Sequence, residues 1–404
     1  MIILIDKTIK ELKKRVKYIA AFIQKLMIPP QINTNFIDKV NVDEYECIFY
    51  ASNNILKLNA NGRIFYFRQC RKHYNKKEYV LGCIADFFEL KLIEPSIKKT
   101  FIEELSKEQN YNKLISLGTK FDKTSNISLF KCSNNYTMIG MGFVSGNSIL
   151  ECVAKELAEF LWSELYSYEL NSHTKEYQIY NSSKSLAQEA MAELLGLNII
   201  PHSSYALIEG KHLGSRIGTI MAEAEGLPIS SLERFMSEGK LSPNLQNELN
   251  NLNILDVICY EKDHRPGNYN IVIKDDHLFG IRVYDNDSPM CFFPTPNIKF
   301  KTYADCSPLV KKGMINRPHL DQDTAERIIK TSNEMIIREL KQYLNNIQIF
   351  FTILRFNKLK RAIIKTSKRN HDFLITPSEW NSYTIQEELS GKYGKTYLSL
   401  LLKK

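Results

Sequence analysis

A chain of 404 residues exceeds one minimal domain, so at roughly 100–200 residues per domain two or three lobes are expected. It is 44% hydrophobic and 25% charged, which excludes a wholly disordered, collagen-like or coiled-coil protein. Lys and Arg number 54 against 45 Asp and Glu, and the net charge of +9 suits an anionic partner without selecting a phosphoryl donor, an acidic membrane or nucleic acid.

Eight scattered cysteines, with no Cys-x-x-Cys pair, read as reduced and mostly buried thiols of a cytosolic protein, against a disulfide scaffold or structural zinc. No apolar run reaches the roughly 20 residues that span a bilayer. The opening Met1–Ile5 is followed at once by Asp6 and Lys7, so no secretory signal is expected.

In chain order, residues 7–28 show a 3.6-residue apolar period with an opposite face of Lys10, Lys13, Lys14, Lys17 and Lys25, closed by Pro29 and Pro30. This helix suits packing with a solvated Lys face or an anionic membrane. Tyr45–Tyr50 and Arg63–Phe67 read as strands, with turns at Asn53-Asn54 and Asn61-Gly62, and 79–108 returns to helical spacing. Residues 112–150 are turn-rich and β-like, and Gly140, Gly142 and Gly146 fit a hairpin and bulge or a phosphate-covering loop. A helix follows at 148–168. Lys175–Ile179 reads as a short strand, and 184–197 as a helix capped by Ser183 or Ser185 and ended by Gly196. Strands are expected at 204–208 and 217–221, a linker at 222–226, and helices from 229 to 258.

The stretch 255–294 carries the chemistry. An apolar helix delivers a polar turn, Asp263-His-Arg-Pro-Gly-Asn268; a strand leaves it at 269–273, the chain turns at 274–277, and a return strand ends on Asp285-Asn-Asp287. Alone, the first piece is an ordinary turn and the second a solvated hairpin end. Together they bring Asp263, Asn268 and Asp285 toward one place. Phosphoryl transfer uses such a set: one carboxylate orients the attacking hydroxyl, while an Asn and an Asp hold Mg²⁺ against the donor phosphates.

Asp263-His-Arg-Pro-Gly-Asn268 followed by Val283-Tyr-Asp285-Asn-Asp resembles the catalytic loop and metal-binding segment of the protein-kinase superfamily. The nearest branch is the atypical one of phosphatidylinositol 3- and 4-kinases, actin-fragmin kinase and bacterial effector kinases. The resemblance covers about 170–345. It implies an α+β, two-lobed kinase-like fold, with a small β-rich N-lobe on a helical C-lobe and ATP in the cleft. By domain, it implies an N-terminal accessory domain (1–110), an N-lobe (111–226), a C-lobe with the catalytic loop (227–345) and a basic helical C-terminal region (346–404). Asp263 then takes the catalytic role, with His264 orienting the loop or touching substrate. Asn268 and Asp285 hold Mg²⁺ or Mn²⁺, and Asp287 is a further ligand or a group beside the ligands. Asn286-Asp287 stands where typical protein kinases carry Phe-Gly, which leans toward type II phosphatidylinositol 4-kinases, as does Phe292-Phe-Pro294. In the N-lobe, Met221 and Glu223 fall in a hinge-like segment whose backbone would meet adenine. Glu189 is the candidate helix glutamate, paired with a nucleotide lysine at Lys175 or, alternatively, Lys131.

Beyond the hairpin, a helix is expected from Gln322 to Leu344, capped by Asp321, and another to about 366. The latter carries Arg355, Lys358, Lys360, Arg361, Lys365, Lys368 and Arg369 on or just after it. The cluster is either a solubilising face or a contact for acidic lipid headgroups or a soluble inositol polyphosphate activator. No aromatic platform is interleaved, so nucleic acid is not expected as partner. The implied activity is an ATP- and Mg²⁺-dependent kinase acting on a phosphoinositide at an anionic membrane surface. Its alternatives are a protein Ser/Thr kinase of the actin-fragmin or bacterial-effector type and a pseudokinase acting as a binding module. The expected location is cytoplasmic or peripheral to a membrane, including delivery into a host cell as a bacterial effector.

Overall fold

The computed structural model describes residues 37–49, 54–71, 76–106, 153, 156–157, 160–161, 163–164, 178–228, 231, 240–261, 268–284, 320–369 and 374–375. The architecture is α+β with mixed sheets, and the chain divides into two compact units. One holds the described residues of 35–182 and 203–222, the other those of 183–202 and 223–404. The chain passes from the first to the second between Ala222 and Glu223, within the segment expected to be a linker.

The first unit is a six-stranded sheet in the order β1-β5-β6-β4-β3-β2 with two helices. Its strands are β1 (Asp38–Asn41), β2 (Glu44–Phe49), β3 (Asn54–Ala60), β4 (Arg63–Gln69), β5 (Ser203–Gly210) and β6 (Gly214–Ala222). Helix α1 (Lys76–Leu90) is followed by α2 (Pro95–Ser106). The expected Asn61-Gly62 turn is present: both residues have positive φ, 52° and 71°, the backbone that a two-residue hairpin loop demands. Asn54, expected in a turn, instead opens β3 opposite Phe49. The single helical run expected over 79–108 breaks at 91–94, where Leu92 takes φ 51° ahead of Pro95. β4 pairs with β6 (Phe67 opposite Ile220), so strands of the expected accessory domain and N-lobe share one sheet, and residue 110 does not divide them. Gly218 allows that pairing to close, because a Cβ there would lie 2.2 Å from the Arg68 carbonyl oxygen.

Helix α3 (Gln178–Leu194) belongs to the second unit from Ser183 onward. It begins earlier than expected: Gln178 and Ile179 are helical rather than strand, and Ser183 and Ser185 lie inside the helix rather than capping it. Gly196 ends it with φ 67°. Strands β7 (Leu227–Pro228), β8 (Lys240–Leu241), β9 (Tyr269–Lys274) and β10 (His277–Val283) form a sheet in the order β7-β9-β10-β8. Helix α4 (Pro243–Cys259) is capped by Ser242, whose hydroxyl accepts from the Asn244 N–H. β8 replaces part of the helix expected from 229. The expected helix 322–344 is two, α5 (Gln322–Lys330) and α6 (Asn333–Leu340), because Thr331 leaves helical backbone and Ser332 caps a new start. Asp321 caps α5 as expected, accepting from the Thr324 N–H at 2.9 Å. Helix α7 (Asn346–Ser367) opens with a reciprocal Asn345–Gln348 capping box. β11 (Leu320–Asp321) and β12 (Leu374–Ile375) pair in parallel.

Leu249, Leu255, Ile258, Ile271, Ile281, Ile328, Ile336, Phe356 and Leu359 are wholly buried in one core that joins α3 to α7 around the β9–β10 hairpin. Burying each such side chain contributes about 1.5–3 kcal/mol. Among the described residues, no helix is long and apolar enough to cross a membrane, and Cys47, Cys70, Cys83 and Cys259 are free thiols.

Candidate functional site

The expected hairpin forms. β9 and β10 pair antiparallel, with Tyr269 opposite Val283 and a turn at Asp275-Asp276, both at positive φ, where the short Asp side chain tolerates left-handed backbone. One strand residue is bulged between Leu278 and Gly280. The N–H of Ile281 beyond it donates to Glu248 on α4 at 2.6 Å. A Cβ at Gly280 would lie 2.3 Å from that carboxylate, so a larger residue there would push the Glu248 side chain aside.

At the other end of the hairpin, Tyr284 donates its N–H to the Asn268 carbonyl at 3.1 Å. Asn268 is buried, 3% exposed. The chain that enters β9 after the 263–268 motif and the chain that leaves β10 toward Asp285 are thus tied at their backbones. Val283 in turn donates to the Ile199 carbonyl at 2.8 Å, anchoring the strand end to the loop after α3. Asp263, His264, Asp285, Asp287 and Lys175 lie outside the described residues, as do Lys131 and Gly140, Gly142 and Gly146. The donor set of one amide oxygen and one or two carboxylates is the hard-oxygen kind that Mg²⁺ takes, so these residue types fit the ion that the motif implies.

Helix α4 supplies the approach to that loop. It ends at Tyr260 in left-handed backbone (φ 57°), whose N–H caps Asp256, and the buried Glu261 follows. Arg355 of α7 fastens this end: its Nε donates to the Ile258 carbonyl at 2.7 Å and its guanidinium lies 5.6 Å from the Tyr260 ring centroid. A cation at a helix C-terminus meets both the last carbonyls and the dipole. Arg355 therefore leaves the expected basic surface cluster; it is 4% exposed. Lys360 is also partly withdrawn, donating to the Thr331 carbonyl at 3.0 Å. Beside the loop, burial pushes the Tyr269 hydroxyl well up, with Asp256 adding to it.

Met221 sits half-buried on β6, opposite Tyr66 and Ser203, and Glu223 is exposed. The segment after it docks on β9: Asn270 donates to the Ala224 carbonyl at 2.9 Å, and Leu227 pairs with Ile271. Gly226 at φ 99° makes this approach, since a Cβ would lie 2.4 Å from the Ile271 oxygen. Glu189 is buried on α3. Its Oε1 lies 3.0 Å from Nδ1 of His202, a neighbour that sequence reasoning missed. Glu189, Glu193 and His202 have ligand atoms within 4.8 Å of one another, but Glu193 and His202 are exposed, and such surface groups commonly come together without a metal.

Sequence reasoning also missed a charge network in the six-stranded unit. Arg71, just past β4, pairs with Asp86 of α1 and lies 3.1 Å from Glu164. Arg216 of β6 reaches the other Asp86 oxygen at 2.9 Å and Gln69 at 2.9 Å. Tyr79 and Asn54 donate to Glu164 at 2.7 and 2.9 Å. Burial pushes the Arg71 guanidinium down, and Glu164 more than offsets this; burial and then Arg71 push Arg216 down. The same burial pushes the Tyr79 hydroxyl and Cys83 thiol up. The available signal was Asp86 among Tyr79, Cys83 and Phe87, a carboxylate at helical spacing on an apolar stripe.

No protein-family model matches the chain, and no curated protein matches it.

Proposed function

We propose that the chain is an ATP- and Mg²⁺-dependent phosphotransferase of the atypical kinase type, with the hydroxyl of a phosphoinositide headgroup as acceptor. The observation that carries this reading is the Tyr284–Asn268 backbone bond at the mouth of the β9–β10 hairpin. It ties the motif containing Asp263 and Asn268 to the residue immediately before Asp285. In this reading Asp263 orients the attacking hydroxyl and accepts its proton, and His264 positions the loop. Asn268 and Asp285 hold Mg²⁺, with Asp287 beside them; the ion supplies charge neutralisation on the transferred phosphate. The backbone of 221–226 accepts and donates to adenine. Such positioning and electrostatics are most of what phosphoryl transfer asks of a protein.

The test is ATP turnover over lipid vesicles and over a protein panel, wild type against Asp285→Ala. Metal-dependent turnover should fall by at least about a hundredfold in the variant. Full activity there would remove the metal-ligand role, and transfer to protein alone would replace the lipid acceptor by a Ser/Thr one.

A second reading, a nucleotide-binding pseudokinase, is favoured by Arg71. Protein kinases set a strand lysine against a helix glutamate to hold ATP phosphates; Arg71 after β4 meets the α1 carboxylate in a comparable pair but is also engaged by Glu164. Thermal stabilisation by ATP with no turnover, unchanged in Asp263→Ala, would favour it.

A further inference from the structure

Helix α7 is sided along its whole length. Ile349, Thr352, Arg355, Phe356, Leu359 and Ile363 face the core. The outward positions are Phe350, Leu354, Lys358, Arg361 and Lys365, spaced by steps of three and four, and Lys368 and Arg369 continue the stripe just past the helix end. At about 1.5 Å per residue the stripe is roughly 28 Å long. Phe350 is 56% and Leu354 46% exposed, at the N-terminal end; the five cations occupy the rest. From residue 340 to 371 the sequence contains no Asp or Glu, against eight Lys and Arg. Helices normally intersperse both signs on a solvated face, and an exposed Phe and Leu in line with a one-signed cation row is an unusual surface for water alone.

We infer that this face of α7 docks on an anionic lipid bilayer. The arrangement matches the two layers of such a surface: the cations meet lipid phosphates and carboxylates, while Phe350 and Leu354 enter the boundary between headgroups and acyl chains. Nucleic acid answers only half of it. A phosphate backbone would neutralise the cations but leave the leucine in water, and one aromatic at the end of the row is no stacking platform. Arg355 fixes which side of the helix faces out, because its bond to the Ile258 carbonyl holds the inner side to α4. The inference goes beyond the phosphotransfer reading and stands without it, since bilayer docking needs no turnover.

The experiment is co-sedimentation of the full chain with phosphatidylcholine vesicles, with and without phosphatidylserine, and competition by duplex RNA. Wild type should bind only the vesicles containing phosphatidylserine. At about fivefold per cation, the triple reversal Arg361→Glu, Lys365→Glu, Lys368→Glu should weaken that binding by at least about a hundredfold. Phe350→Ser should weaken it several-fold while leaving its salt dependence unchanged, and it changes only an exposed side chain. Equal binding to neutral and anionic vesicles, wild-type affinity in both variants, or displacement by RNA at lower concentration than by phosphatidylserine vesicles would overturn the proposal.

Discussion

The six-stranded unit encloses two guanidinium groups, Arg71 and Arg216, among the carboxylates of Asp86 and Glu164. In the four-stranded unit Arg355 meets a backbone carbonyl, a hydroxyl and an aromatic ring, inside a core that is mostly aliphatic. The two arrangements respond differently to damage. In the first, removing one partner leaves a charge buried and uncompensated, which costs more than the intact pair ever contributed. In the second, removal orphans the Ile258 carbonyl and strips packing from the Tyr260 ring, at an end of α4 that also buries Asp256 and Glu261. The six-stranded unit thus depends on a few shared ionic partners, and Glu164 is shared by Arg71, Tyr79 and Asn54.

Glu164→Ala is the strongest way to break this contrast. It strips Arg71, Tyr79 and Asn54 of a shared partner, and the expected loss is about 3–5 kcal/mol in urea unfolding. Hydrogen exchange should quicken across β2–β6 while α4 and β9–β10 keep their protection. Equal loss in both sets of amides would show that the two units unfold as one. Arg355→Met should cost less, about 1–3 kcal/mol, through the orphaned Ile258 carbonyl, and its effect on exchange should centre on the end of α4. Arg355→Lys should not restore it, because a single ammonium cannot reach the carbonyl, the Thr352 hydroxyl and the Tyr260 ring together.

The contrast also separates what local sequence could show from what it could not. The β9–β10 hairpin was legible because alternating apolar residues flank a polar pair, and both the turn and the position of Asn268 at the mouth follow from that pattern. The Asn61-Gly62 turn and the Asp321 cap were legible for the same local reason. β1 was not: Asp38-Lys-Val-Asn41 carries one apolar residue and becomes a strand by pairing in parallel with β5, some 168 residues further along. The charge network was hidden because its members come from β3, β4 and the residues just past it, α1, a helical residue at 164 and β6, with no spacing to connect them. Arg355 looked like part of a basic surface, and only the register of Thr352, Phe356 and Leu359 turns it inward. The split at Thr331 was missed because a β-branched residue and a serine weaken a helix without forbidding it.

The smallest effect sharpens the comparison from the side of the four-stranded unit. Glu248 joins α4 to the bulge of β10, and burial pushes its carboxyl above the ordinary 4.5, against the opposing pull of the Ile281 N–H and Arg282. The folded protein therefore holds this proton at a higher pH than the unfolded chain does. Between the unfolded and the raised folded value, the unfolded state binds fewer protons, so unfolding free energy falls as pH rises through that window. Glu248→Gln keeps an oxygen for the Ile281 N–H and removes the titration. The carboxylates of Glu326 and Glu334, held below their usual range by side-chain hydrogen bonds, slope the opposite way but are present in both proteins and cancel in the difference. Urea unfolding across a pH series should show wild type losing stability relative to the variant from below 4.5 toward neutrality. Parallel profiles would mean that the bulge is held by the backbone ladder alone and that Glu248 is a bystander at the seam between α4 and β10.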